Sequence, residues 1–196
     1  AIASAGIMRA GLAQALHHCR HRKVFGKWLT DQPIMRAVLA DMAMEVEGAV
    51  ALVMRLCRSF DWPAEAARAR LLTPAVKYWI CKNAPTVVYE AMECLGGNGY
   101  VEDAILPRLY REAPVNAIWE GSGNVMCLDV LRAMSREGVI SRLSARREDA
   151  ASMPQAGGRS QRNPVIWPMA TGVLCERDDR CCFAFDRTGA VLRPPG

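Results

Sequence analysis

Apolar residues recur at helical spacing along most of the first 145 positions, and no segment alternates with the two-residue period of a half-buried strand. This constrains the fold more than any other feature, because an apolar helical stripe is stable in water only when buried against another element. Ile34, Val38, Met42, Val46, Val53 and Leu56 form one such stripe, with Arg36, Asp41, Glu47 and Arg55 mostly off it. This helix opens at Thr30-Asp31-Gln32-Pro33, where Asp31 or Thr30 can cap and proline is tolerated in the first turn. It is expected to reach about Phe60 and stop near Asp61-Trp62-Pro63.

Residues 1 to about 21 read as a helix of mostly small residues, with Ile7, Leu12 and Leu16 near one face, ending in a polar cluster from His17 to Lys23. Phe25-Gly26-Lys27 then breaks the pattern. A third helical region, about 64–95, carries a wide apolar face of Leu71, Leu72, Val76, Trp79, Ile80, Val87, Val88, Met92 and Leu95, which predicts burial between other helices. Pro74 and Pro85 each remove a backbone hydrogen bond within it, so a kink or break is expected. A short helix follows over Leu106 to Glu112, and a last one carries Val125, Leu128, Leu131 and Met134 from near Ser122 to about Glu137. The sum is an all-α, antiparallel up-and-down helical bundle over residues 1–145. Beyond it come Pro154, Gly157-Gly158, Pro164 and Pro168 without a helical stripe, so 146–196 is expected to be an irregular or disordered, poorly structured C-terminal tail, with Trp167, Phe183 and Phe185 leaving room for a small docked element.

Composition narrows the function classes. With 51% hydrophobic and 23% charged residues the chain matches ordinary soluble domains, and no apolar run approaches the roughly 20 residues of a membrane helix. The first residues lack the cationic start of a signal peptide, and a cytoplasmic location is expected. The chain begins at Ala1 without an initiator methionine and reads as a piece of something longer. Of the eight cysteines, Cys19, Cys57, Cys81, Cys94 and Cys127 are scattered through helical patterns, no Cys-x-x-Cys exists, and the three histidines sit at 17, 18 and 21. Reduced buried thiols and no metal site are expected. A net charge of +5 permits a phosphate-bearing ligand or weak nucleic-acid contact and demands neither.

Two glycine clusters carry the chemistry. Glu120 sits in Ile118-Trp119-Glu120-Gly121-Ser122-Gly123-Asn124, just before an apolar-periodic segment, and Gly96-Gly97-Asn98-Gly99 lies upstream. A carboxylate flanked by glycine at the mouth of a helix can be held close to a ligand; a helix cap with two turns would use the same residues.

In order, Arg22-Lys23-Val24-Phe25-Gly26-Lys27, Glu93-Cys94-Leu95-Gly96-Gly97-Asn98-Gly99-Tyr100 and Trp119-Glu120-Gly121-Ser122-Gly123-Asn124 resemble the C-terminal helical domain of acyl-CoA dehydrogenases, over residues 1 to about 143. The stretch from Pro114 to Arg132 is most similar to the AidB-like, DNA-alkylation-response branch. The resemblance implies an FAD-dependent oxidoreductase that desaturates an acyl-CoA, with Glu120 as the base that takes the α-proton. It also implies that Ser122 and Asn124 contact the adenosine part of FAD, that Arg22 pairs with its pyrophosphate with Phe25 packed nearby, that Gly96 and Gly97 let backbone approach the dinucleotide, and that Trp119 belongs to the same cofactor surface. Glu93 stands where many members carry glutamine. Family members assemble into dimers or tetramers through this domain, and their flavin contacts reach a neighbouring subunit. The branch adds DNA contact as an alternative partner. The family's other domains are not in this sequence, so the isolated chain is expected to be inactive.

Overall fold

The computed structural model describes residues 1–135 and two short strands, Ala184–Phe185 and Val191–Leu192. Contacts divide the chain into two units, Ala1–Ser144 and Ala145–Gly196. In the second, the strands pair antiparallel, Ala184 opposite Leu192 and Phe185 opposite Val191. The rest of the tail expected to be irregular lies outside the described residues, as does the expected end of the last helix at Glu137.

The first unit is built on three long helices, α1 (Ile2–His21), α2 (Pro33–Asp61) and α3 (Ala66–Leu95). Shorter helices follow: α4 (Gly97–Tyr100), α5 (Leu106–Glu112) and α6 (Gly123–Ser135). Helix α3 is central, with α1, α2 and α6 all packed on it. Side-chain neighbours give the directions. Ser4 donates to Cys81 Sγ at 3.3 Å, and a Cβ added at Gly11 would stand 3.6 Å from that of Ala91, so α1 and α3 run parallel. The short connection from Asp61 to Ala66 reverses α2 between them. Along α3, Tyr78 lies against Gly123 and Arg70 against Asp129, so α6 runs antiparallel to it. The fold is an all-α up-and-down bundle.

Helix α1 buries Ser4, Ala5, Met8, Gly11, Leu12, Ala15 and Cys19, a face of mostly small residues that lets two helices approach closely. The stripe predicted at Ile7 and Leu16 flanks this face, with both residues half-buried. Helix α2 buries Leu39, Met42, Val46, Ala49, Val53 and Leu56; Ile34, one turn before this stripe, is 81% exposed. Its N-cap is Gln32, neither Thr30 nor Asp31, which belong to a 3₁₀ turn over Leu29–Asp31. The Gln32 amide instead donates to the Val24 carbonyl at 3.1 Å, and Pro33 opens the helix.

Neither proline breaks α3, which runs 30 residues without interruption. An interior proline costs about 3 kcal/mol in an isolated helix, and here burial offsets it: Pro74 is fully buried, between Ala69 and Val76 of the same apolar face. Thr73 Oγ1 also bonds the Ala69 carbonyl at 2.7 Å, beside the carbonyl that Pro74 leaves unpaired.

The turn from α2 into α3 is held by one buried carboxylate. Glu65 receives Arg55 at 2.7 Å, Ser59 at 2.9 Å and Arg68 at 3.5 Å. The Arg55 hydrogen bond, with smaller help from Ser59 and the charge of Arg68, draws the Glu65 pKa down from 4.5 to about 2 against the opposing effect of burial.

Ile80→Ala, at a fully buried position, should lower the unfolding free energy by about 2–5 kcal/mol in denaturant titrations, whereas Ile34→Ala should stay within roughly 0.5 kcal/mol. Because the folded-state pKa of Glu65 is depressed, its contribution is present above the ordinary carboxyl range and lost as pH falls from about 4.5 toward 2. Acid titration of Glu65→Gln should therefore show a shallower loss of stability across that window than the parent chain; equal slopes would remove the assignment.

Candidate functional site

The chain leaves α5 through a 3₁₀ turn, Pro114–Ala117, and reaches Glu120 with φ 56° and Gly121 with φ 111°. Two successive residues in the left-handed region reverse the backbone sharply, and for a residue with a side chain this conformation costs of order 1 kcal/mol or more. The strain is held from three sides. Trp119 N–H donates to the Val115 carbonyl at 3.0 Å, and the indole N–H of Trp119 donates to the buried Asn116 Oδ1 at 3.3 Å. From α3, the Lys77 ammonium donates to the carbonyls of Trp119 at 2.8 Å and Gly121 at 2.6 Å, one on each side of Glu120. The Glu120 carboxylate itself is exposed and makes no hydrogen bond or ion pair among the described residues.

Helix α6 starts immediately after this turn, where a side chain would be tightly packed. A Cβ at Gly123 would stand 3.0 Å from the Tyr78 ring and 3.1 Å from the Lys82 side chain. Asp129, farther along α6, is forked by Arg70 at 2.6 and 2.8 Å, which fastens α6 along α3. Ser122 and Asn124 remain exposed at the helix N-terminus, beside Lys82. They border a cleft of about 390 Å³ with Cys81, Lys82, Pro85, Pro114 and Ile118. Unpaired N–H groups of a helix start, with a lysine alongside, favour an anionic group such as a phosphate.

Arg22 and Phe25 lie away from this turn, just after α1. Arg22 ends α1 and is exposed. It leads into a small hairpin that the sequence did not announce: β1 (Lys23–Val24) pairs antiparallel with β2 (Lys27–Trp28), turning through Phe25 (φ 53°) and Gly26 (φ 77°). Two successive left-handed residues match the twist of a tight hairpin. Leu29 N–H closes it on the Arg22 carbonyl at 2.9 Å, and the Lys23 ammonium sits 4.3 Å from the centre of the Trp28 ring. Phe25, at the tip, is 95% exposed. Buried Cys19 and Cys94 are neighbours; burial first, then the adjacent Cys19 thiol, pushes the Cys94 pKa up to about 12. That contact sets the Arg22 end of α1 beside the end of α3.

Helix α3 ends at Gly96, whose φ of 62° only glycine adopts freely, and Gly97 starts α4. Gly99 owes its place to packing, since a Cβ there would meet the Met92 carbonyl at 2.3 Å. Gly96 and Gly97 are exposed, with open space where a Cβ would stand, so backbone is accessible to a ligand at both. The Glu93 carboxylate bonds the Tyr89 hydroxyl, which raises the Tyr89 pKa.

The site residues named from sequence therefore form two clusters. Trp119, Glu120, Ser122 and Asn124 gather near the middle of α3; Gly96 and Gly97 form the turn at its C-terminal end, on the side of the bundle where the Cys19–Cys94 contact also sets Arg22, from which the hairpin carrying Phe25 begins. Lys77 and Gly96 are 19 residues apart, roughly 28 Å along the helix. Lys77 and Lys82 were missed from sequence; the only signal was two cations spaced by five on a helix with a wide apolar face.

The residues fit a dinucleotide in kind: an exposed arginine, an exposed aromatic, open glycine backbone and a helix N-terminus beside a lysine. Among the described residues no group of His, Cys, Asp and Glu could hold a metal ion, and no helix is long and apolar enough to cross a membrane. Gly121→Ala should destabilise the chain by roughly 1–3 kcal/mol in thermal or denaturant unfolding, because φ 111° is strained for any side chain and the new Cβ would press on Met126.

The model of the family "Acyl-CoA dehydrogenase, C-terminal domain" matches residues 1–135. The putative acyl-CoA dehydrogenase AidB of Escherichia coli K12 is 53% identical over 148 residues, 74% of this chain and 27% of that protein. Acyl-CoA dehydrogenase family member 11 of Caenorhabditis elegans is 39% identical over 142 residues, 69% of this chain and 23% of that protein. The crystal structure of C. elegans ACDH-11 in complex with C11-CoA superposes with a TM-score of 0.71 at 36% identity, covering 76% of this chain and 26% of that one. The chain thus spans about a quarter of the length of these relatives.

Proposed function

The chain belongs to the acyl-CoA dehydrogenase family, whose C-terminal helical domain it carries, and we propose that it serves there as the FAD-binding, base-bearing part of an oxidoreductase that desaturates an acyl-CoA. Members of this family are flavoproteins, and FAD is the cofactor. The observation that carries the proposal is Glu120: an exposed carboxylate at a left-handed backbone position, fixed on α3 at the mouth of α6.

In this reading the Glu120 carboxylate takes the α-proton of the acyl thioester, and the electron pair of that C–H bond becomes the Cα=Cβ double bond. The bound flavin supplies the acceptor for the hydride that leaves Cβ. Glu120 works as a base once substrate excludes water from it. Gly121 keeps the adjoining backbone free of a side chain. Ser122, Asn124 and the start of α6 would hold the adenosine and phosphate part of the dinucleotide. Arg22 would neutralise pyrophosphate charge, Phe25 would pack on the cofactor, and the open backbone at Gly96 and Gly97 would admit it.

The two clusters stand too far apart to face one another across a single reacting centre. This supports a site completed by a second copy of the chain, as a homodimer or homotetramer, and an isolated 196-residue chain that does not turn over substrate. Helix α6 offers an apolar surface for such assembly. Of the apolar residues that the sequence places along it, Val125, Leu128 and Leu131 are 46%, 52% and 37% exposed and Met134 is half-buried, while Ala133 is its buried contact.

Bleaching of the flavin by acyl-CoA in the protein that contains this domain tests the reading. Glu120→Gln should slow the bleaching by about 10²–10⁴-fold, the usual worth of a positioned base, with the flavin still bound. Bleaching at the parent rate would exclude Glu120 as the base.

A further inference from the structure

We infer that Lys77 is a positioning residue for Glu120, a dedicated clamp that holds the candidate base in its strained backbone conformation without pairing with its carboxylate. This rests on the proposed role of Glu120.

The geometry is specific. A left-handed residue with a side chain persists only where its surroundings over-determine it. At Glu120 (φ 56°) the carbonyls of the residues before and after it are both captured by one ammonium, 2.8 Å from that of Trp119 and 2.6 Å from that of Gly121. Charge-assisted bonds of this length are among the stronger ones a side chain makes. Lys77 is half-buried, and its neighbour Val76 is fully buried in the core face of α3, so the clamp is anchored on the central helix and not on another loop.

The division of labour also matters. A lysine so close to a catalytic carboxylate would ordinarily be its ion-pair partner, and that pair would blunt the base. Here no ion pair joins Lys77 to Glu120 among the described residues; two of the three ammonium donors go to main-chain carbonyls. The cation fixes where the carboxylate stands while leaving its oxygens open to a substrate. Arg70, about two turns earlier on α3, does the parallel job for α6 through Asp129, so turn and helix are both registered to the same helix.

Two measurements test this. In the 196-residue chain, Lys77→Met should speed amide hydrogen exchange at Trp119, the turn amide that donates to the Val115 carbonyl, at least tenfold relative to the amides of α1, with Lys77→Gln, which keeps one donor arm, in between. In the flavin-loaded protein that contains the domain, Lys77→Met should slow flavin reduction by acyl-CoA 10- to 100-fold with little change in substrate affinity. Combined with Glu120→Gln it should add no further slowing, because a residue that acts through the base has nothing to act on once the base is gone. Unchanged exchange in the turn, or equal slowing in the Glu120→Gln background, overturns the inference. Parent-rate reduction by Glu120→Gln alone would instead sink the base assignment, and the exchange measurement would still decide whether Lys77 holds the turn.

Discussion

The burial of α3 is the constraint on which the rest of this domain depends. Its 30 residues present apolar and small side chains to α1, α2 and α6, and the small-residue face of α1 lets the two parallel helices lie close. That packing carries two interior prolines that an isolated helix would not tolerate. It also makes α3 the spacer between the two candidate clusters. Lys77, Tyr78 and Lys82 organise the Glu120 turn at its middle, and the Gly96-Gly97 turn leaves its end, so helical rise sets their separation.

The two exposed side chains of greatest functional interest are presented by the same device. Phe25 and Glu120 each occupy a left-handed position followed by a glycine with positive φ. A tight reversal pushes the side chain outward, and the glycine absorbs the second unusual dihedral. What differs is the support. The hairpin closes on itself through the Leu29–Arg22 bond and the Gln32 amide, whereas the Glu120 turn leans on a neighbouring helix through Lys77. The first is a local solution that stands with its own segment; the second exists only if α3 and the loop have already met.

Much of this was legible beforehand. Helical periodicity located α1, α2, α3 and α5, and the start of α6, to within a residue or two, because burial of one face repeats every three to four residues wherever a helix packs. The motifs also named exposed residues at both clusters. Other features escaped for physical reasons. The hairpin at Lys23–Trp28 is too short to show a strand period, and its turn uses phenylalanine where glycine or asparagine would have signalled it. Gln32 displaced Thr30 and Asp31 as the N-cap because its amide is drawn to the Val24 carbonyl of that same hairpin. The apolar stripe of α6 turned outward, since periodicity marks which residues share a face but not what the face meets.

The sequence by itself determined the class of fold and the helices, since both follow from side-chain type and spacing along the chain, and its resemblance to a family named the residues proposed to serve a flavin and an acyl thioester. Only the tertiary structure decided that those residues form two clusters and that α6 shows its apolar side. It also decided that a lysine some forty residues upstream grips the backbone around Glu120. Contacts between distant segments depend on how helices cross and at what depth, and one-dimensional periodicity carries no record of either.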